Sequence, residues 1–363
     1  MGEPAHPISS KSVSRMASLK LSVLDQSPVS SGFSSGDALN ATIELADLAD
    51  KLGYQRYWIA EHHAMEALAS PAPEILIARV AAETSRIRIG SGGVMLPHYS
   101  PLKVAEAFRM LEAMYPGRID LGVGRAPGGT PLEAFALMRN RKQSLPDDFP
   151  EQLTELLSFL HGTFPADHPF NRIKVSPATA TQPEVWLLGS SKWSAAAAAQ
   201  FGLPYAFAHF IDPQPTRAAI EQYRFQFNAS EWLDKPRAIV ALGALCAETD
   251  EEAQYLLSSA RLFRRRIRQG ILGPIPTPQE AVKELDSHPS PLPDNPSEWP
   301  RYFVGTPEKV RDDLTQMAAE LQVDEVMIVT IAHDYQARLR SYELLARAFS
   351  SAEIEHAASL RTA

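Results

Sequence analysis

A single cysteine, Cys246, occurs in 363 residues. That excludes an intrachain disulfide and any metal cage built from several thiolates, and it suits a reducing compartment, the cytoplasm. No apolar run approaches the roughly 18 residues of a membrane span, so no membrane partner is expected. The opening MGEPAHPISSKSVSRMAS has no signal-peptide core, and residues 1–18 are expected to form a flexible tail. Basic excess is missing as well: the formal net charge is -8, which argues against nucleic acid as a partner. The one basic run, RLFRRRIRQG (residues 261–270), reads as the solvated face of a helix. Neither GxGxxG nor GxxxxGK[ST] appears, so neither a dinucleotide-binding fold nor a phosphate loop of the nucleotide-hydrolase kind is supported.

What is present is an ordinary enzyme composition, 45% hydrophobic and 21% charged, which can bury a large core without covalent staples. From Leu19 onward, short apolar runs alternate with amphipathic stretches, the pattern of parallel strands joined by helices. The strand candidates are LKLSVL (19–24), RYWIA (56–60), IRIGSGGV (87–94), RIDLGVG (118–124), EVWLLG (184–189), YAFAHF (205–210), AIVALGALC (238–246) and DEVMIVT (324–330). Eight such strands close a (β/α)8 TIM barrel, here expected as a single domain over residues 19–350 with a C-terminal tail, 351–363. An open doubly wound sheet is the alternative. Helical periodicity lies between the strands, as in ALNATIELADLADKLG, APEILIARVAAETS and SAAAAAQFG, and glycine repeatedly ends the helix before the next strand. Two stretches break the rhythm: residues 125–150, carrying APGGTP, and the proline-rich 270–300, expected as an insertion over the C-terminal face that folds down as a lid.

Four motifs carry chemistry. In WIAEHHAM (58–65), His62 and His63 follow a strand, and because strand side chains alternate in direction, the two histidines cannot share one unless the strand has ended before them. A proton-transfer role for one of them, capping, and metal ligation with Glu61 are all compatible with the residues; no metal is assigned. In IRIGSGGVMLPHYSP, Ser91, Gly92 and Gly93 interrupt a good strand, which marks a bulge or the approach of a flat ligand to the backbone. Arg125, flanked by Gly124 and Gly128–Gly129, suits an anionic group at a barrel mouth or a local carboxylate. In LLGSSKWSAAAAAQFG, a strand stops at Gly189 and a helix begins near Ser194, so that Ser190, Ser191 and Ser194 either cap the helix or form with its amides a phosphate seat. Trp58, His63, Met95, Tyr99, Phe207, His209 and Phe210, at candidate strand ends, are expected walls of a pocket for an apolar or aromatic substrate.

Taken in order, LDQSPV, WIAEHH, the long IGSGGVMLPHYSPLKVAEAFRMLEAMYPGRIDLGVGRAPG, LLGSSKWSAAAAAQFGLPYAFAHFI and FVGTPEKVRDDL resemble the bacterial luciferase-like flavin monooxygenases over about residues 19–348. The resemblance implies a TIM-type barrel that uses reduced FMN, delivered by a separate NAD(P)H-dependent flavin reductase, to activate O2. It places His62 at the family's catalytic histidine and Arg125 at its flavin-contacting arginine. It puts Ser190, Ser191 and Ser194 at the FMN phosphate, and Gly92–Gly93 at a non-proline cis peptide beside the ring. A serine at 190 and glycine in the pair depart from luciferase itself and point to the oxidoreductase branch rather than to light emission. Deazaflavin-dependent hydride transfer and an idle flavin-binding protein are the rival readings, and a homodimer is expected on the resemblance alone.

Overall fold

The computed structural model describes residues 19–126, 131–137, 147–287 and 298–362, and the expected N-terminal tail lies outside them. Among the described residues there are nine strands: β1 (Lys20–Asp25), β2 (Arg56–Ile59), β3 (Arg88–Met95), β4 (Ile119–Gly124), β5 (Glu184–Gly189), β6 (Tyr205–Ala208), β7 (Ala238–Cys246), β8 (Tyr302–Gly305) and β9 (Glu325–Val329). The helices between and after them are α1 (Ser35–Leu52), α2 (Pro73–Glu83), α3 (Pro101–Met114), α4 (Pro131–Leu137), α5 (Phe149–His161), α6 (Lys192–Phe201), α7 (Thr216–Gln226), α8 (Asp250–Arg268), α9 (Pro278–Ser287), α10 (Pro307–Leu321) and α11 (Tyr335–Thr362). Strands β1 to β6 pair in sequence, β6 pairs with β7, β7 with β9, and β9 with β1, every ladder being parallel. Eight strands therefore close a barrel, and they are the eight anticipated from the sequence. The ninth, β8, was not anticipated; it pairs only with the C-terminal half of β7, Gly243 to Cys246.

Alternation along each strand divides the core in two. Odd positions such as Val23, Tyr57, Ile89, Leu121 and Phe207 face the helices and form the large outer cluster. The alternate positions, even in β1, β2, β4, β5 and β6 but odd in β7 and β9, face the axis, where Leu24, Trp58, Trp186, Ala206, Ala241 and Met327 form a separate inner cluster. Below that cluster, toward the strands' N-terminal ends, the axis is charged. Arg56 donates to Asp120 (2.7 Å), to Glu184 (2.9 Å) and to Glu325 (3.0 Å). Arg88 also bonds Asp120, Arg237 pairs with Glu184, and Ser22 donates to Glu325 at 2.5 Å. Three arginines thus face three carboxylates. Burial raises the Glu184 carboxyl, but Arg56 and Arg237 outweigh it and hold the group at about 2. A second buried pair, Asp25 with Arg338 at 2.7 Å, ties the end of β1 to α11.

The proline-rich stretch has structure of its own. Ile275 bridges to Ser30 just beyond β1, and α9 docks on α8 through Arg265 and Arg266 to Glu284 and Arg266 to Glu280. The basic run is therefore partly committed to this contact rather than wholly solvated. Residues 288–297 of the expected lid lie outside the described residues. The stretch expected as a C-terminal tail from 351 continues α11 as far as Thr362. Cys246 is buried, and burial pushes its thiol up to about 12.

Breaking one side of a buried charge network leaves the other uncompensated, which costs about 3–5 kcal/mol. Arg56→Met is expected to lower the urea unfolding free energy by that amount. Lys51→Met, which removes the exposed Lys51–Asp47 pair, should change it by less than about 0.5 kcal/mol. Equal small effects in the two titrations would contradict a structural role for the axial charges.

Candidate active site

At the C-terminal ends of the barrel strands lies a cavity of about 460 Å³. Its wall takes residues from just beyond β2, β3, β4, β5 and β6, so one chamber collects most of the motifs singled out in the sequence.

The histidine pair separates at the end of β2. His62 lines the cavity; its backbone N–H is held by Ser70 O (2.9 Å), and its Nδ1 is buried without a hydrogen-bond partner. Burial, with a smaller push from neighbouring His63, lowers its pKa to about 4, so the ring is neutral at pH 7. His63 turns away from the cavity and places Nε2 2.7 Å from Glu61 Oε1. The same oxygen accepts from the Tyr99 hydroxyl at 2.7 Å, and Glu61 Oε2 accepts the Met95 amide at 3.1 Å. Glu61 is thus a buried carboxylate that gathers His63 and Tyr99 behind the wall and clamps the end of β2 to the end of β3. Among the described residues no group of three or more His, Cys, Asp or Glu is placed to hold a metal ion.

Between Ser91 and Val94 the ladder with β4 slips, so that Gly92 and Gly93 oppose the single residue Gly122. The Gly92–Gly93 peptide is cis. Both glycines line the cavity and neither has room for a side chain. A Cβ on Gly93 would lie 2.7 Å from the Gly122 carbonyl, and one on Gly92 would press on Leu24 and come within 3.0 Å of the Trp58 Cβ. Ser91 points outward and donates to Gly122 O at 2.8 Å; it does not line the cavity.

Across the chamber, β5 ends at Gly189 and α6 begins after Ser191, which caps it. Ser191 Oγ accepts the Ser194 amide (3.3 Å), and Ser194 Oγ donates to Ser191 O (2.7 Å) while bonding the Tyr205 hydroxyl (2.9 Å). Gly189 is required because a Cβ there would overlap the Ser194 side chain. The first amides of a helix lack acceptors within it and point outward with the positive end of its dipole. Gly189, Ser190, Ser191 and Ser194 all line the cavity, as does Arg125. The Arg125 guanidinium lies 4.1 Å above the Trp193 ring and reaches Asp147 at 2.9 Å, an exposed pair of little strength.

Of the expected pocket walls, Trp58, Met95 and Phe210 line the chamber. Phe207 does not: at an odd position of β6 it faces the helices, where it is fully buried. His209 does not either; its Nδ1 meets the Thr216 hydroxyl (2.8 Å) and its Nε2 the Pro300 carbonyl (2.9 Å), which makes it a structural tie to the proline-rich stretch. The sequence reading passed over Trp193, Phe149, Leu188, Ala206, Ala241 and Met327, which complete the wall. Alternation along each strand, counted separately for each because the axial positions are even in β5 and β6 and odd in β7 and β9, is the signal that points to the last four.

Residues 19–325 match the family of luciferase-like monooxygenases. A luciferase-like monooxygenase of Escherichia coli (strain K12) is 40% identical over 326 residues, covering 90% of this chain and 96% of that protein. The N-acetyl-S-alkylcysteine monooxygenase of Bacillus subtilis (strain 168) is 35% identical over 336 residues, 92% of this chain and 99% of its own. Among solved structures, apo-MsnO8 shares 50% identity at a TM-score of 0.85, over 92% of this chain and 98% of that one.

A neutral buried imidazole has a pH signature. An unfolded histidine titrates near 6.5, whereas His62 in the fold titrates at about 4. Between those values the unfolded chain binds a proton that the folded chain refuses. Stability from this group is therefore complete above about pH 6.5 and declines as pH falls toward 4, by ~1.4 kcal/mol per pH unit. Urea midpoints measured from pH 7 to pH 5 should fall less steeply for His62→Gln than for the parent; identical slopes would show that the ring is not held neutral.

Proposed function

The chain belongs to the luciferase-like monooxygenase family, and from that premise we propose that it is the oxygenase of a two-component system, which takes FMN reduced by a separate NAD(P)H-dependent reductase and uses O2 to oxygenate a small apolar or aromatic substrate. The observation that carries this reading is the convergence, in one cavity, of an anion seat at the start of α6, a flat glycine wall and a neutral histidine. That FMN fits is supported by features of the chain itself. Gly92 and Gly93 leave a surface without side chains for a ring, and the α6 amides with the Ser190 and Ser191 hydroxyls suit a phosphate dianion. Arg125, on the same wall, adds a fixed positive charge.

Bound there, reduced FMN would supply the reaction with oxygen; the rest is the work of the protein. Leu188, Met327 and Phe210 present an apolar wall that excludes water. His62 offers a ring nitrogen that is neutral at working pH and able to accept or return a proton, with its backbone pinned by Ser70. Glu61 fixes the strand ends from which His62 and Met95 project. A relative in Acinetobacter baylyi (strain ATCC 33305 / BD413 / ADP1), 24% identical over 274 residues, is named the oxygenase component of a flavin-dependent trigonelline monooxygenase, which supports supply of the reduced flavin by another protein. The name of the Bacillus subtilis relative, an N-acetyl-S-alkylcysteine monooxygenase, supports a substrate that carries an alkyl group.

Two measurements test the reading. FMN and riboflavin differ only by the phosphate, so Ser191→Ala should weaken FMN about ten- to a hundredfold in a fluorescence titration and leave riboflavin unchanged, as expected for losing a hydrogen bond to a charged group. Equal losses for both would mean that Ser191 only caps the helix. Under labelled O2, with FMN, a flavin reductase and NADH, the parent should place one labelled oxygen atom in the product formed from an alkyl sulfide and release the other as water, and His62→Ala should slow this about 10²-fold while FMN affinity holds. Tighter binding of a deazaflavin than of FMN, with no label incorporated, would replace the proposal by hydride transfer.

A further inference from the structure

In most barrels of this kind bulky side chains fill the axis up to the mouth. Here the layer above the charged plug is mostly small. Ala206 and Ala241 project inward at positions that elsewhere hold branched residues, Gly92 and Gly122 contribute nothing, and all but Gly122 line the cavity. The inner end of the chamber is therefore apolar, lined by Leu24, Leu188 and Met327 as well as by the two alanines. One large side chain ends it. Trp58 is fully buried, lines the cavity, and meets Trp186 edge-on with ring centroids 5.4 Å apart. Its indole Nε1 donates to Asp120 Oδ2 at 2.9 Å, and that carboxylate is itself held by Arg56 and Arg88. The ring thus separates apolar space above from ion pairs below, and it cannot tilt without giving up a buried hydrogen bond.

We infer that Trp58 sets specificity by length: it closes an apolar well at the inner end of the chamber that takes the slender, uncharged alkyl end of the substrate, and its bulk fixes how many carbons fit there. The inference deepens the monooxygenase reading and rests on it for calling the occupant a substrate. The physical content is independent of flavin. Leu24, Leu188, Ala206, Ala241 and Met327 offer no hydrogen-bonding side-chain group, and the Trp58 nitrogen is turned down to Asp120, so an apolar group loses nothing by entering among them. The position of Gly92 is part of the device, because its Cα lies against Leu24 and Trp58 and any side chain there would intrude on the closed end.

The test is calorimetric titration of the full chain, without flavin, using straight-chain 1-alkanols of increasing length. Affinity should rise about fourfold per methylene until the well is full and then stop rising. Trp58→Ala should move the break to longer chains. Ala241→Leu, which fills the well from the opposite wall, should move it to shorter ones by two carbons or more. Opposite shifts in two variants cannot come from general loosening, and if Trp58→Ala does not fold, Ala241→Leu and Trp58→Phe decide between them. An unchanged break in the folded variants would overturn the inference. So would full competition between FMN and the alkanols, since the well would then belong to the cofactor. Shifted breaks in a protein that incorporates no labelled oxygen would uphold the well and remove the monooxygenase reading.

Discussion

Arg56 is the hinge of the structure's energetics. A guanidinium on the barrel axis is tolerable only because Asp120, Glu184 and Glu325 meet it with good geometry, while Arg88 and Arg237 balance the remaining charge. Arg56 and Arg237 both lie on the Trp186 ring, at 4.8 and 4.7 Å, so the charged layer and the aromatic layer above it are one unit. Polar contacts at the bottom of the barrel decide where Trp58 and Trp186 stand, and those rings decide where empty space begins. The cavity is in this sense built from below.

From above, it is built by omission. Six consecutive residues of β4, IDLGVG, alternate bulk toward the helices with a carboxylate and two glycines toward the axis. Glycines at 90, 93 and 122 let β3 and β4 approach so closely that a Cβ on any of them would touch the neighbouring strand's backbone. The outer faces of the same strands carry the packing that holds the barrel together, which frees the inner faces for a ligand. Near the mouth, packing and ligand space thereby use opposite sides of one sheet.

Much of this was legible in the residues. Parallel strands buried on both faces leave unmistakable apolar runs, which is why all eight staves were found. β8 was not, because four residues behind a proline-rich stretch, YFVG, carry no periodicity long enough to read. The α6 seat was legible because glycine, serine and alanine occur in the order that strand exit, cap and helix require. Alternation does not account for the parting of His62 and His63, because β2 ends at Ile59 and both histidines lie in the loop beyond it. Alternation does place YAFAHF: Phe207 falls on the helix-facing side of β6 rather than in the pocket wall, and His209, beyond the strand end, ties to Thr216 and Pro300 instead. Glu61 was considered only as a metal ligand; that one carboxylate would collect His63, Tyr99 and the Met95 amide depends on how the ends of β2 and β3 meet, which no single stretch of sequence encodes.

Cys246 sits at the end of β7 under Ser341, which donates nothing to its sulfur but caps its amide at 2.8 Å. Burial and a thiol that is reluctant to ionise both oppose reaction of the single sulfhydryl with alkylating reagents at neutral pH. The native sequence is therefore already a blank background for site-directed labelling: a cysteine introduced at the rim of the chamber would carry a spin label or dye alone, and loop motion at the mouth would become readable without first rebuilding the core.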